Sequence, residues 1–342
     1  MQVTVVGAGA IGGTVGAHLA RVGHTVTFCD TAEEHVAAMN ERGLTIRSWA
    51  EQFTVPALAI RPDDLRGPLG LVLLAVKAQH TAQAVQTIAP LLADDGVVVS
   101  MQNGLNEQVI AAAVGEARTI GCLVNFSADY LEPGVIHYGG PGTIKVGELD
   151  GQITPRLEQL RQLLEALGQV ETTLNIWGYM WGKLGYGNML YATALADASM
   201  ADVIDRYRPL MVELAAEIYE VAERLGVRPE PFDGVEPALY YPRAGRDWTA
   251  IQQSLDALVA RRRRDQKQRS GIWRDLMVRR RGTEVGDHLG PIMRHADTLG
   301  LPLPLTRRVA QLIGDLEAGR AKPAWEHLDA LEALRQGMIA RG

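Results

Sequence analysis

Gly7-Ala8-Gly9-Ala10-Ile11-Gly12 stands directly after the β-branched run Val3–Val6 and opens the helical pattern Ile11–Val22. In that setting each glycine has a task. Gly7 permits a tight turn, Gly9 lets backbone approach a pyrophosphate, and Gly12 lets helix pack close to strand. Ala8, Ala10 and Ile11 complete the loop, and free N–H groups at the helix start would face the phosphates. The chemistry implied is dinucleotide binding. Asp30 ends the next run, Val26–Cys29, eighteen residues after Gly12. A carboxylate there accepts from the adenosine ribose hydroxyls and repels a 2′-phosphate. No Arg or Lys follows until Arg42, so the expected cofactor is NAD(P)H with a lean toward NAD, NADP remaining open.

Two further polar residues fall where a ligand would be met. Lys77 follows the apolar run Leu71–Val76, and Asn103 follows Val97–Met101. In a parallel sheet both positions lie at carboxyl ends of strands, on the edge that carries the glycine turn, and ligands bind in that crevice. Taken singly, Lys77 reads equally as a surface lysine and Gln102-Asn103-Gly104 as a turn. Lys183 is the sharpest feature of the second half. It lies inside Trp177–Ala198, a segment apolar nearly all round and therefore expected to be buried. Desolvation would lower its pKa and a carboxylate partner would raise it, and either arrangement can yield a proton donor near neutral pH. A lysine reaching out at a domain boundary is the plainer alternative. The same segment holds Gly178, Gly182, Gly185 and Gly187. Each costs roughly 1 kcal/mol against alanine in a helix, so close packing or room for a ligand is expected.

These residues need elements to hold them. The first half alternates short β-branched runs with helical segments, the pattern of a parallel sheet covered on both faces. Val135–Tyr138 and Thr143–Val146, separated by Gly139-Gly140-Pro141-Gly142, read as a late hairpin at the sheet edge. Helical spacing dominates later, over Pro155–Leu167, Trp177–Ala198, Pro209–Leu225, Trp248–Arg262, Gly290–Leu299 and Thr306–Leu316. A chain of 342 residues also exceeds the roughly 250–300 that one core usually spans. The expected division is a dinucleotide-binding domain over 1–171 and a helical substrate and catalytic domain over 172–342, with an insertion at 227–268 whose first part is rich in Pro, Gly and aromatics.

Composition narrows the function classes. Charged residues at 22% and apolar ones at 47% lie near globular averages. A formal charge of −6 argues against a broad nucleic-acid surface, and the basic runs Arg261–Arg264 and Arg279–Arg281 read as solvated helix faces. The eight histidines show no paired i, i+4 spacing with a nearby acid, so no metal is expected. Cys29 and Cys122 form no disulfide framework, which points to a reducing cytoplasm. No signal peptide and no membrane-spanning run is read, leaving a small molecule as the expected partner; a homodimer is compatible with the sequence.

With these residues in view, the chain resembles the ketopantoate reductase family (2-dehydropantoate 2-reductases) of the wider 6-phosphogluconate dehydrogenase-like group. The resemblance runs from residue 1 to about 320 and rests on five motifs. They are GAGAIGG at 7–13, AVKAQ around Lys77, MQNGLNE around Asn103, WGKL around Lys183 and RGTEV around Glu284. It implies an α/β fold, an N-terminal Rossmann-type doubly wound sheet joined to a C-terminal all-helical domain, with the active site between them. It also implies reduction of a 2-oxo acid, nominally 2-dehydropantoate to pantoate. Lys183 would be the general acid, Glu284 its orienting partner, and Lys77 and Asn103 the lining of the nicotinamide and substrate side.

The departures from the family pattern are equally specific. Asparagines usual four and eight residues after the lysine are replaced by Gly187 and Tyr191, with Asn188 one step away. The family's substrate-binding serine falls on Gly271, beside Ser270, and one extra residue separates Asp275 from Glu284. Gly187, Asn188, Tyr191, Ser270 and Asp275 are therefore the expected substrate-side positions. Two alternatives keep the fold: the same machinery on a bulkier 2-oxo acid or a C=N bond, and a dinucleotide-binding sensor without turnover.

Overall fold

The computed structural model describes residues 1–265 and 267–340. The chain divides into two compact units, residues 1–176 and 177–342. Ile176, the last residue of the first unit, packs on the sheet: a Cβ at Gly121 would stand 2.7 Å from its Cγ1.

The first unit begins β1 (Gln2–Val6), α1 (Ala10–Arg21), β2 (Thr25–Cys29), α2 (Glu33–Arg42), β3 (Leu44–Arg47), β4 (Gln52–Val55) and β5 (Leu58–Ile60). It continues with β6 (Leu69–Leu74), α3 (Thr81–Ile88), β7 (Leu92–Ser100), α4 (Asn106–Val114), β8 (Thr119–Asn125), β9 (Ala128–Glu132) and β10 (Val135–Tyr138). It closes with β11 (Thr143–Glu148), α5 (Pro155–Leu164) and β12 (Val170–Thr172). The main sheet has eight strands in the order β12-β11-β8-β7-β6-β1-β2-β5. From β5 to β8 all neighbours are parallel, whereas β11 runs antiparallel to β8. The chain winds outward one way from β1 through β2 to β5 and the other way from β6 to β8. The order therefore reverses between β1 and β6, which is where an open parallel sheet leaves a crevice at its carboxyl edge. Apolar residues are buried on both faces, Val5, Phe28, Leu73 and Val99 toward one and Val6, Cys29, Val72 and Val98 toward the other. Such two-sided burial is why these strands read as continuous apolar runs.

A second, four-stranded sheet has the order β4-β3-β10-β9. Here the expected hairpin is corrected. Val135–Tyr138 does not pair with Thr143–Val146: β10 pairs antiparallel with β9 and parallel with β3, whereas β11 pairs with β8 and β12. The hairpin turn is Glu132-Pro133-Gly134, with Gly134 at φ +77°, a conformation that favours glycine. Gly139–Gly142 is instead a crossing between sheets. The second sheet packs its Ile46, Val55, Ile136 and Tyr138 into the same core as Val15 and Leu19 of α1.

The second unit is helical: α6 (Ile176–Thr193), α7 (Met200–Arg206), α8 (Arg208–Arg224), α9 (Pro237–Tyr240), α10 (Trp248–Arg264), α11 (Gly271–Met277), α12 (Val285–Leu299), α13 (Pro304–Glu317) and α14 (Trp325–Ile339). The glycines of α6 admit neighbours. A Cβ at Gly182 would meet the Glu230 carbonyl oxygen at 2.5 Å, and one at Gly185 the Tyr219 ring at 2.2 Å. Tyr219 donates from its hydroxyl to the Gly182 carbonyl at 3.1 Å, tying α8 to α6. The segment at 227–246 is fastened to α8 by Arg243 and Arg246 on the buried Glu213. α12 begins five residues before the expected Gly290, because Pro291 lies inside the helix rather than at its start. Among the described residues no helix is long and apolar enough to cross a membrane, and no cluster of His, Cys, Asp and Glu could hold a metal ion.

Candidate functional site

The glycine loop sits at the reversal point of the main sheet. Gly7 donates its N–H to the Cys29 carbonyl at 2.8 Å, and Ala75 donates to the Val6 carbonyl at 2.8 Å. The loop thus lies between the ends of β2 and β6. Gly7 has φ +91°, and a Cβ there would stand 2.7 Å from the Val76 nitrogen. A Cβ at Gly12 would stand 2.1 Å from the Gly7 carbonyl oxygen, whereas one at Gly9 would meet nothing within 4 Å. Gly7 and Gly12 are thus required by the protein's own packing, and Gly9 faces open space. That open face, below the free N–H groups that begin α1, fits the pyrophosphate of a dinucleotide.

Asp30 and His35 hold Ala8 from opposite sides. The Asp30 carboxylate accepts from the Ala8 N–H at 2.8 Å and from the Ala32 N–H at 2.9 Å. Four lone-pair positions on a carboxylate leave capacity for ribose hydroxyls beyond these two bonds. His35 is buried and contacts the Ala8 carbonyl through Nε2 and the Gly134 N–H through Nδ1, each at 2.9 Å. Since the Gly134 N–H can only donate, Nδ1 accepts and Nε2–H donates to Ala8. The first turn of α2 adds Glu33 and Glu34 and no Lys or Arg.

Lys77 and Asn103 lie three residues beyond the ends of β6 and β7, on the same sheet edge. Lys77 is half-buried and Asn103 exposed. A buried network joins their loops. Gln102 donates to the Val76 carbonyl at 2.8 Å and to Thr81 Oγ1 at 2.7 Å; Thr81 donates to Asn106 Oδ1 at 3.0 Å, and Asn106 donates to the Asn103 carbonyl at 2.6 Å. Beneath it Glu107 is fully buried, and desolvation pushes its pKa up to about 7. The Glu107 backbone N–H and then the Ser100 hydroxyl pull the other way. These supporting residues were not singled out in the sequence, although all lie within four positions of Lys77 or Asn103.

In the second unit, Lys183, Gly187 and Tyr191 fall four residues apart and share one face of α6. Lys183 and Gly187 are half-buried and Tyr191 is buried. The Tyr191 ring leans back along the helix, as long helical side chains do, so that its Oη lies 3.2 Å from where a Gly187 Cβ would be. Tyr191 Oη is 2.7 Å from His288 Nδ1, and His288 Nε2 is 3.8 Å from Glu284 Oε1. Glu284 is the residue that precedes α12, and His288 follows one helical turn later. Burial first, and then the Glu284 charge, raise the Tyr191 pKa, so the phenol stays protonated across the physiological range. The structure therefore gathers Gly187, Tyr191 and Glu284 through His288, a residue not anticipated. The Glu284–His288 spacing becomes readable only once the helix is known to start before Pro291.

Three other expected substrate-side residues make bonds within the fold. Asn188 is fully buried on another face of α6 and donates to the Leu214 carbonyl at 2.8 Å and Thr306 Oγ1 at 2.9 Å. Ser270 caps α11, accepting from the Trp273 N–H at 3.2 Å. Asp275 is buried and held by Arg279 at 3.0 Å and Arg281 at 2.9 Å. In the other basic run, Arg261 bonds the Asp233 carbonyl, Arg262 the Tyr186 hydroxyl and Arg263 the Asp205 carboxylate.

Known proteins bear on this arrangement directly. The family described as ketopantoate reductase PanE/ApbA matches residues 3–151, and its C-terminal counterpart matches residues 175–317. The chain belongs to the ketopantoate reductase family. A 2-dehydropantoate 2-reductase of Mesorhizobium japonicum is 29% identical over 67% of this chain and 78% of its own length. Another from Archaeoglobus fulgidus is 24% identical over 93% of this chain and 98% of its own. Among solved structures, a PanE/ApbA family ketopantoate reductase from Ralstonia eutropha superposes with TM-score 0.78 at 25% identity, covering 93% of this chain and 99% of that one. D-mandelate dehydrogenase with NADH and anilino(oxo)acetate shares the fold at TM-score 0.77 and 19% identity, over 93% of this chain and 99% of its own. This ketopantoate reductase family member is an NAD(P)-dependent oxidoreductase acting on a keto or hydroxy group, with a Rossmann-like first unit and a helical second one.

Proposed function

We propose that the protein reduces a 2-oxo acid, nominally 2-dehydropantoate to pantoate, with Lys183 as the general acid. The observation that supports this most directly is the α6 face. It places Lys183 in line with Gly187 and Tyr191, and Tyr191 bonds the histidine that stands 3.8 Å from Glu284. When bound, the nicotinamide dinucleotide supplies the hydride to the carbonyl carbon. The chain's own residues do the rest. The loop Gly7–Gly12 holds the phosphates with backbone N–H groups, and Asp30 reads the ribose hydroxyls and disfavours a 2′-phosphate, which supports NAD over NADP. Lys77 and Asn103 position the acid. Negative charge grows on the carbonyl oxygen, where the Lys183 ammonium stabilises it and then gives up a proton. Glu284 keeps that ammonium charged and oriented.

A second reading, the same machinery on a larger 2-oxo acid, follows from Gly187 and Tyr191 standing where the family usually has asparagines. One experiment addresses both: oxidation of NADH and of NADPH by the purified protein with 2-dehydropantoate and with a panel of larger 2-oxo acids. On the preferred acid, Lys183→Ala should lower kcat by ~10²–10⁴, the range typical for loss of a general acid. Wild-type turnover in that variant would remove Lys183 from its role.

A further inference from the structure

Ser100 ends β7 and Glu107 lies in the first turn of α4, so the two stand at the base of the loop 101–106 that carries Asn103. Both are enclosed, at 0% and 1% exposure. The Ser100 hydroxyl is near enough to act on the Glu107 carboxyl. Yet Ser100 Oγ and both Glu107 carboxyl oxygens are buried without a well-formed hydrogen bond, as is Gln102 Oε1 inside the same loop. All four oxygens are acceptors, and with Glu107 ionised they share one hydrogen, that of Ser100. A proton on Glu107 supplies a second donor and removes the charge.

Among the described residues no charged side chain offsets an ionised Glu107. α4 packs on α3, β7, β8 and the turn 116–118. α3 has no titratable residue, and His80 before it is exposed. Asp94 and Asp95 of β7 and Glu116 of the turn are exposed, and Arg118 is bonded to the Ala93 and Gly96 carbonyls. Cys122 of β8 belongs to the core on the other face of the sheet, and Lys77 is half-buried in its own loop. What acts on Glu107 is burial, opposed by its own N–H and Ser100. Ionising it leaves a buried charge without a partner, and the fold can answer by parting the loop base and admitting water.

We propose that Glu107 is a positioning residue that holds a proton to close the base of the loop 101–106, and that release of this proton to water loosens Asn103 and weakens binding of the 2-oxo acid. This rests on the reading of Asn103 as a substrate-side residue.

The first comparison needs only the wild type. Amide hydrogen exchange at residues 101–106, expressed as protection so that the intrinsic effect of pH is removed, should respond as pH passes the value of about 7 at which Glu107 gives up its proton. Protection should fall by at least about threefold between about pH 6 and about pH 8, and KM for the preferred 2-oxo acid should rise by a similar factor. Glu107→Gln, neutral and still able to donate, should hold both readouts at their low-pH values. Ser100→Ala should move the change to higher pH, because that hydroxyl favours the ionised form. Any titration of Lys183 is common to wild type and variants, so the ratio between them isolates Glu107. A purely structural role would lower the melting temperature of Glu107→Gln and leave its pH dependence equal to that of the wild type. That result overturns the proposal, as does wild-type protection that does not change with pH. If protection follows pH in the wild type and not in Glu107→Gln, but no 2-oxo acid is reduced with NADH or NADPH, the proton-held loop stands and the reading of Asn103 falls.

Discussion

At the glycine loop the surface offered to a ligand is backbone, whereas on α6 it is side chain, and the two are held in place by different means. The loop from Gly7 to Gly12 is fixed by the ladder of the main sheet on either side of it and by close contacts that leave no room for a Cβ at Gly7 or Gly12. The α6 face depends on a bond between Tyr191 and His288, residues 97 positions apart. Backbone geometry tolerates few substitutions but serves any ligand that carries phosphates. A relay of side chains can be exchanged pair by pair, and so can change what is recognised without changing the fold. On the proposed reading, the chemistry common to the family belongs to the first arrangement and to Lys183, and individual specificity to the second.

The sharpest way to break this contrast is at two glycines three positions apart. Gly12→Val would drive a side chain into the Gly7 carbonyl, 2.1 Å from the new Cβ. Overpacking of that severity should cost about 3 kcal/mol or more. Gly9→Val meets no protein atom within 4 Å. It should leave the melting temperature unchanged and weaken dinucleotide binding by at least about tenfold, by filling the phosphate position. Thermal unfolding beside dinucleotide titration separates the two. Equal destabilisation by both variants would mean that Gly9, too, is held by the protein's own packing.

The same contrast explains what was legible. The glycine motif, Asp30, Lys77 and Asn103 are local signals, each adjacent to the strand that positions it, and the structure places all of them on one sheet edge. Lys183 was visible because a charge stands out in an apolar helix. What was hidden depends on distant partners. His288 has meaning only beside Tyr191, and Asn188, an apparent substitute for a missing amide, is turned to Leu214 and Thr306. Ser270, an expected substrate-side position, also caps a helix, as serine before a helical turn commonly does. The second sheet escaped notice because β3 and β4 are only four residues each, and because the Gly139–Gly142 tract resembles a turn more than the true hairpin at Pro133-Gly134 does.

The loop that carries Asn103 lies between these extremes, and Glu107 shows how far the first unit also relies on buried side chains. Its pKa is raised from 4.5 to about 7 by desolvation. A carboxyl raised on folding stabilises the native state most below its unfolded pKa, and that contribution is lost as pH rises through the folded value. Wild-type stability should therefore decline between about pH 4.5 and pH 7. Glu107→Gln, which cannot ionise, should flatten that slope and be more stable at pH 8 by up to about 3 kcal/mol. Denaturant unfolding of both proteins across this range is the measurement, and parallel curves would mean that Glu107 ionises in the folded state as it does in the unfolded chain.

The smallest expected effect asks whether the glycine loop is as self-sufficient as its backbone bonds imply. His35 bonds the Ala8 carbonyl with one ring nitrogen and the Gly134 N–H with the other, so it connects the nucleotide loop to the hairpin of the second sheet. His35→Leu removes both bonds, whereas His35→Gln retains a donor and an acceptor on one planar group. If the loop needs this support, His35→Leu should weaken dinucleotide binding by about tenfold, the equivalent of one hydrogen bond near 1.4 kcal/mol, with KM for the 2-oxo acid little changed. His35→Gln should recover most of that loss. If His35→Leu lowers the melting temperature but leaves dinucleotide affinity intact, the strand ladder alone fixes the loop, and the division between a backbone-built cradle and a side-chain-built reader becomes sharper.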